Sequence, residues 1–514
     1  MKKVIFHLYM LLLMFASSEI YSQNYTNWTT VGGNSNRTGS APESYGSSFG
    51  IQKTFIAPAT IWGMPIFTYG NKFVTTRYTS LNPLRALVCA FQFNSVNPLW
   101  TYGQNSGVNI IMGYNNNKIY VRDFQQNGVD SIFALNETNG SVIWKSRFTV
   151  ERGIIWTAVF AANGDLIVPG SGTKRIMRIN HTNGDTVWTN SRIIPNTGAE
   201  SMCVNGNTLY AWEGSITTPK KILAIDINTG VVKYSSGDLP GDGDQEIPFT
   251  VSETGVIYCI RDGGLMYALK DNGTGITELW SRTVSHPVGT YTQIAVGKDS
   301  TVYIPFGKKI IRLDPANGST INESIDLVSN GSINPRFALN KLGNVFVSNG
   351  ADQPSEGKFF TFDNDLQQIG TGQPFAFNYY CGPAFGNEEL NPYYLFTGAG
   401  TEIKSWYVFI DNIVSENSSP GNFELKQNYP NPFNPGTIIN YELRPSREAV
   451  SGNFVTIKVF DIMGKEIAVL VDQKQTAGKH SVRFEGSNYS SGVYFYSLMV
   501  DGILIRTKEM TLVR

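Results

Sequence analysis

From about Trp62 to Asp411 hydrophobic and polar positions alternate in short runs, and Gly, Asn and Asp interrupt them in a fixed order. Alternation at period two predicts strands with one face turned inward. An aromatic residue marks the end of each unit: Trp100, Trp144, Trp188, Tyr234 and Trp280 recur about every 45 residues. Before most of them stands a turn. Asn136-Glu137-Thr138-Asn139-Gly140 precedes Trp144, Asn180 to Gly184 precedes Trp188, and Asp226 to Gly230 precedes Tyr234. Asp314 to Gly318 repeats the turn without the aromatic. An Asx side chain caps such a corner and Gly supplies the positive φ, so each predicts a hairpin.

Half a repeat away a short polar turn precedes an apolar run. The cases are Asn71-Lys72-Phe73, Asn117-Lys118-Ile119, Gly164-Asp165-Leu166, Gly206-Asn207-Thr208, Gly255-Val256-Ile257, Ser300-Thr301-Val302 and Gly343-Asn344-Val345, with Asn391-Pro392-Tyr393 a looser one. Together they predict about eight units of several short strands. No single unit buries both faces of its sheet, whereas a ring of them does, which is the logic of a seven- or eight-bladed β-propeller. Eight blades fit the markers better. The recurrent Trp is expected to fill the wedge between blades.

The pattern changes near Phe423. Gln427 to Pro435 holds Pro430, Pro432 and Pro435, which exclude helix and central strand and predict a rigid, extended lead-in. Strands are then predicted at Thr456–Asp461, Glu466–Leu470, Gly478–Phe484, Ser491–Leu498 and Thr507–Val513, a small immunoglobulin-like β-sandwich. The whole chain is all-β: 1–22, 23–415, a Ser/Asn/Pro linker at 416–422, and 423–514.

Composition supports this. Charged residues are 16% and aromatics 12%, with 51 Gly and 25 Tyr, a turn-rich and helix-poor balance. Formal net charge is zero, which removes the electrostatic case for nucleic acid. Lys2 and Lys3 before an apolar stretch from about Val4 to Ala16 read as a secretory signal peptide, cut after Ser22. No other segment reaches transmembrane length. Cys89, Cys203, Cys259 and Cys381 lack framework spacing and are expected to be buried free thiols.

The turn-and-tryptophan pattern at Ala134 to Trp144 and Ala224 to Tyr234 resembles the pyrroloquinoline-quinone-like, or quinoprotein alcohol dehydrogenase-like, propeller superfamily. Trp28 to Asn34 followed by Asn36-Arg37-Thr38-Gly39 looks like its opening segment, expected to supply an outer strand that closes the ring. The terminal block closely resembles the type A sorting domain of the type IX secretion system of Bacteroidetes. The matching residues are Asn428, Tyr429, Pro430, Asn431, Pro432, Phe433, Asn434 and Pro435, Val459-Phe460-Asp461 with Gly464, Gly478 with His480, Ser491 to Tyr496 with Gly492 and Tyr494, and Lys508 to Leu512. The resemblance implies export across the outer membrane, with the type IX machinery as partner and a secreted or surface-attached product.

Candidate chemistry is sparse. His181, His286 and His480 show no metal-ligand spacing, and no phosphate loop or nucleophile elbow is present. Quinone enzymes of the resembling superfamily often carry an adjacent Cys-Cys pair and a calcium site, and this chain has no such pair, so no cofactor is expected. One loop, Asp238 to Glu246, places Asp242, Asp244 and Glu246 at alternate positions. That arrangement can gather oxygens around Ca²⁺, or serve as a solvated loop. The expected function is a non-catalytic module that binds an extracellular protein or glycan. The alternative is an extracellular hydrolase or lyase acting on polysaccharide at the top face of the propeller.

Overall fold

The structure, a computed structural model, describes Asn34, Arg37, Gly39 and Ser40 and most of the chain from Ser48 to Phe409 and from Phe423 to Val513. Outside the described residues within those stretches lie 57–60, 63–64, 82–83, 94, 104–106, 125–128, 147–149, 152–157, 170–174, 192–201, 216–217, 242–249, 262–263, 285–292, 332, 341–342, 352–355, 370–372, 375–382, 388–392, 400–401, 444–452, 462–465 and 501–502. Residues 1–22 and 416–422, the predicted signal peptide and linker, fall outside as well. No helix among the described residues is long and apolar enough to cross a membrane.

Six four-stranded antiparallel sheets of the propeller and one ten-stranded sheet, in which the first two units meet through a parallel contact of Ala86 with Val108, give eight four-stranded units among the described residues. Their innermost strands are Phe67–Tyr69, Val108–Asn115, Val159–Phe160, Met202–Asn205, Thr250–Val251, Ala295–Val296, Arg336–Leu339 and Ala384–Asn387. The first seven blades end on outer strands Pro98–Tyr102, Val142–Lys145, Thr186–Ser191, Val232–Ser235, Ile276–Thr283, Thr320–Glu323 and Gln373–Pro374. Seven of the half-repeat markers are turns between first and second strands, and the eighth, at Asn391-Pro392, lies outside the described residues.

The eighth blade is a composite. Its outer strand is Ser48–Ile56, which pairs antiparallel with Glu402–Phe409 from Ser48 opposite Phe409 to Ile56 opposite Glu402. The ring is therefore closed by the N-terminal side of the chain, as expected, but the strand that closes it lies downstream of Asn36 to Gly39. The closing stretch lacks the Asx–Gly turn of the repeat, so the repeat pattern does not single it out.

The ring is visible in its apolar clusters, each of which bridges neighbouring blades. Tyr120, Ala134 and Trp144 of the second blade share a cluster with Phe160, Leu166 and Val168 of the third. Tyr258, Ala268 and Trp280 of the fifth pack with Val296, Val302 and Ile311 of the sixth. The largest cluster joins the seventh and eighth blades to the first and second through Phe346, Phe385, Phe91 and Ile111. Inner strands are buried on both faces, as in Arg336–Leu339, while outer strands keep one inward residue, as Trp188 within Thr186–Ser191.

The terminal domain stacks a three-stranded sheet (Phe423–Leu425, Gly436–Leu443, Gly478–Glu485) on a four-stranded one (Glu466–Gln475, Asn453–Phe460, Gly492–Val500, Ile503–Leu512). Leu425, Ile439, Tyr441, Phe484, Ile457, Tyr496, Leu498 and Met510 form the shared core, as a β-sandwich requires. Gly436–Leu443 was absent from the predicted strands, although its burial alternates strictly from Thr437 to Leu443. The prolines just before it hid an ordinary period-two strand.

Candidate functional site

One face of the ring is closed by docking of tryptophans onto turns. The indole Nε1 of Trp100 donates to Glu137 O at 3.0 Å, Trp144 to His181 O at 3.0 Å, Trp188 to Ile227 O at 2.9 Å and Trp280 to Pro315 O at 2.9 Å. Each acceptor belongs to the turn of the next blade. The turn glycine lies flat on the ring: at Gly184 a Cβ would stand 2.5 Å from Trp144 Cε3, at a φ of +77°. The Asx caps form as expected, with Asn136 Oδ1 accepting from Thr138 N at 2.8 Å and Asp314 Oδ1 from Ala316 N at 2.7 Å. The expected wedge role of the Trp series is what the geometry displays.

Where the repeat departs from Trp, polar chemistry takes over. Tyr234 donates to Asp271 Oδ1 at 2.7 Å and Tyr210 to Asp271 Oδ2 at 2.5 Å. Burial pushes the Asp271 carboxyl up, but the Tyr210 phenol, the Gly273 N–H, the Tyr234 phenol and the charge of Lys233 outweigh it and hold the group below the usual range. Arg178 and Arg312 add charged clips. Arg178 pairs with Asp165 at 2.9 Å and donates to Ile227 O across the blade boundary at 2.6 Å; Arg312 pairs with Asp299 at 2.6 Å and donates to Asn364 O at 2.7 Å. His181 Nδ1 lies 2.9 Å from Asp165 Oδ1. This His–carboxylate pair sits among the turns, held by Arg178, and works as a structural clamp between blades. Sequence reading missed these clips, and the only hint was Arg where other blades carry Ala opposite the outer aromatic: Ala134 faces Trp144, Arg178 faces Trp188.

The connections from one blade's outer strand to the next inner strand are longer in sequence than two-residue turns such as 116–117 and 206–207, and 236–241 and 324–331 are among their described parts. Among the buried side chains are cationic ones: Arg122, Lys220, Arg261 and Arg336. Arg261 shows how they act. Its Nε donates to Leu239 O at 3.1 Å and its Nη2 to Gly241 O at 3.0 Å, while Tyr267 donates to Pro240 O at 2.9 Å. The root of the acidic loop is thus pinned to the next blade. Asp238 forms a surface pair with Lys221 at 3.6 Å, a contact of little energetic weight. Asp242, Asp244 and Glu246 lie outside the described residues. Among the described residues no group of acidic, His or Cys side chains could hold a metal.

The opening segment runs inside the ring. Ser40 bridges Leu339 in parallel, Leu339 N donates to Gly39 O at 2.7 Å, and Ser40 Oγ donates to Val296 O at 2.6 Å. Arg37 Nε donates to Met202 O. Met202, Val296 and Leu339 belong to the innermost strands of the fourth, sixth and seventh blades, so these residues occupy the central passage. The expected outer-strand role is therefore corrected at Arg37 and Gly39, which contact inner strands, while Asn36 and Thr38 lie outside the described residues. Burial lowers the basicity of the Arg37 guanidinium, with a smaller opposing influence from Cys203. Cys89, Cys203 and Cys259 are buried and free, with burial pushing their thiols up to about 11, 12 and 12. Cys381 lies outside the described residues.

The proline-rich motif is built into the terminal sandwich. The expectation of an extended lead-in gives way to a folded corner, because its polar groups find partners within the domain. Asn428 is buried; its N–H donates to the Tyr496 hydroxyl at 2.7 Å, and its Nδ2 donates to Thr437 Oγ1 at 2.9 Å and Pro430 O at 3.0 Å. Asn431 Oδ1 accepts from Thr511 N at 2.8 Å, and Phe433 pairs with Leu512 while its ring meets Phe484 edge-on. Pro432, Asn434 and Pro435 complete the corner, with Pro435 O accepting from Gly486 N at 2.7 Å. Tyr429 is 79% exposed, so within this motif it is display, not packing. Gly492 opens its strand opposite Leu512, Tyr494 is buried and donates to Ser490 O at 2.7 Å, and Lys508 sits opposite Tyr496.

With the geometry in view, comparison with known proteins gives the following. Residues 85–321 match the family model described as "Outer membrane protein assembly factor BamB", a PQQ-repeat model, and residues 427–510 match "Secretion system C-terminal sorting domain". Quinohemoprotein alcohol dehydrogenase from Comamonas testosteroni superposes with a TM-score of 0.54 at 13% identity, covering 78% of this chain and 82% of that one. A europium-containing methanol dehydrogenase gives 0.51 at 12%, covering 73% and 90%. At such identity the likeness is one of fold. No curated protein matches the chain.

Proposed function

We propose that this chain, a PQQ-like β-propeller joined to a C-terminal sorting domain of type IX secretion, is a non-catalytic recognition module that binds an extracellular protein or glycan through the loop face of its propeller. The sorting domain implies export across the outer membrane, to a secreted or surface-attached state. The signal peptide at 1–22 delivers the chain to the periplasm, and the domain at 423–514 carries it onward from a propeller spanning 23–415.

The observation that carries the binding role is the occupied axis. Arg37, Gly39 and Ser40 engage inner strands of three blades, so the protein's own chain takes up inner-strand groups along the passage. Recognition is left to the loops, which suit it because a rigid scaffold positions them. A glycan and cell-wall polymer array probed with the purified chain tests this reading. Bound ligand should be lost when 236–249 is replaced by a short Gly-Ser connection and should be recovered unaltered. Release of shortened products, or binding indifferent to every loop replacement on that face, contradicts it.

A further inference from the structure

Three costs meet at Arg37. Its φ is +61°, a left-handed conformation that disfavours a residue with a Cβ. It is only 3% exposed. Its Nη2 is buried and, among the described residues, has no acceptor, while Nε takes only the Met202 carbonyl. An uncompensated buried guanidinium is strongly unfavourable unless an anion accompanies it. The charged neighbour expected to offset it is absent among the described residues: Cys203 is the nearby titratable group, and burial keeps its thiol neutral. Backbone strain that a fold retains in a buried, unpaired polar residue points to a site.

A second donor opens on the same segment. Gln293 is buried; its Oε1 accepts from Phe337 N at 3.0 Å, which fixes the amide so that Nε2 is the free end, and Nε2 is buried without an acceptor among the described residues. That nitrogen stands 2.7 Å from where a Cβ on Gly39 would be, two residues from Arg37. Two buried N–H donors, Arg37 Nη2 and Gln293 Nε2, therefore lie along the opening segment without acceptors among the described residues.

We propose that the axial passage holds one small monovalent anion, a halide or a compact carboxylate, bound by Arg37 with Gln293 as an auxiliary donor. The anion neutralises the guanidinium and fastens the opening segment to the inner strands, so the propeller is stabilised by an ion it acquires from its surroundings. The proposal is independent of what the loop face recognises.

Thermal unfolding of the full chain tests it, with gluconate as the only starting anion. Chloride or formate, titrated at constant ionic strength, should raise the midpoint saturably at millimolar concentration, whereas further gluconate should not. Response to chloride alone, or to formate alone, decides between halide and carboxylate. Arg37→Gln should abolish the response. If that variant does not fold, Gln293→Leu keeps the test open: loss of one donor to a charged partner should move the half-saturating concentration about tenfold. Crystals soaked in bromide give a readout without any variant, an anomalous peak beside Arg37 Nη2. Titrations that superimpose for all three anions, together with no bromide at Arg37, overturn the proposal.

Discussion

At the scale of single residues, the ring depends on how each turn meets the aromatic before it. Gly184 has no room for a Cβ against Trp144 and sits at positive φ. Gly184→Ala should therefore lower stability by roughly 2 kcal/mol or more, from left-handed strain plus displaced packing, read as a drop in the thermal midpoint. Asp271 gives a pH-dependent case. Its folded pKa is depressed, so the stability it adds is complete above its unfolded value near about 4 and is lost as pH falls through the folded value. Asp271→Asn should lower the midpoint at neutral pH and flatten the loss on acidification below about pH 4. Equal acid slopes in both proteins would contradict that role. The Asx–Gly turns and the Trp series were legible because their chemistry is local. Arg178 and Arg312 were not, since an Arg in an apolar strand reads as a surface residue until the fold shows what surrounds it, and Arg37 stands in a polar run that reads as a solvated turn.

Elements carry the next level of specification. Half-repeat turns marked the inner strands of seven blades, and their period gave the architecture, because each blade needs its neighbours to cover its faces. Ring closure was less legible. Ser48–Ile56 pairs with Glu402–Phe409, a partner remote in sequence, and no local pattern announces such pairing. Deletion of Ser48–Ile56 should leave Glu402–Phe409 as an open edge of a three-stranded last blade. Unfolding of the propeller should then become broad and occur at lower denaturant, while the terminal sandwich keeps its own transition. A single sharp transition at the original midpoint would show that closure lies elsewhere. In the sandwich, Gly436–Leu443 was overlooked for the opposite reason: the prolines before it drew the reading toward a linker, although Asn428 and Phe433 fold into the same core.

For the molecule as a whole, the chain divides its tasks. The propeller's repeats are spent on packing and turns, and those residues say little about a ligand. The terminal sandwich is small, and Asn428 and Phe433 tie the proline run to its core; Asn428 N–H and the Tyr496 hydroxyl meet in a 2.7 Å hydrogen bond. Tyr429, Pro430, Asn431, Pro432, Asn434 and Pro435 are exposed. The sorting domain, which implies export across the outer membrane, was legible in the sequence, while the propeller's ligand was not, because the connections between blades follow no repeat. Deletion of Phe423–Arg514 followed by fractionation of the producing cells tests the account most directly. The intact chain should be found outside the outer membrane and the truncated one folded in the periplasm; equal appearance of both at the surface or in the medium would contradict it.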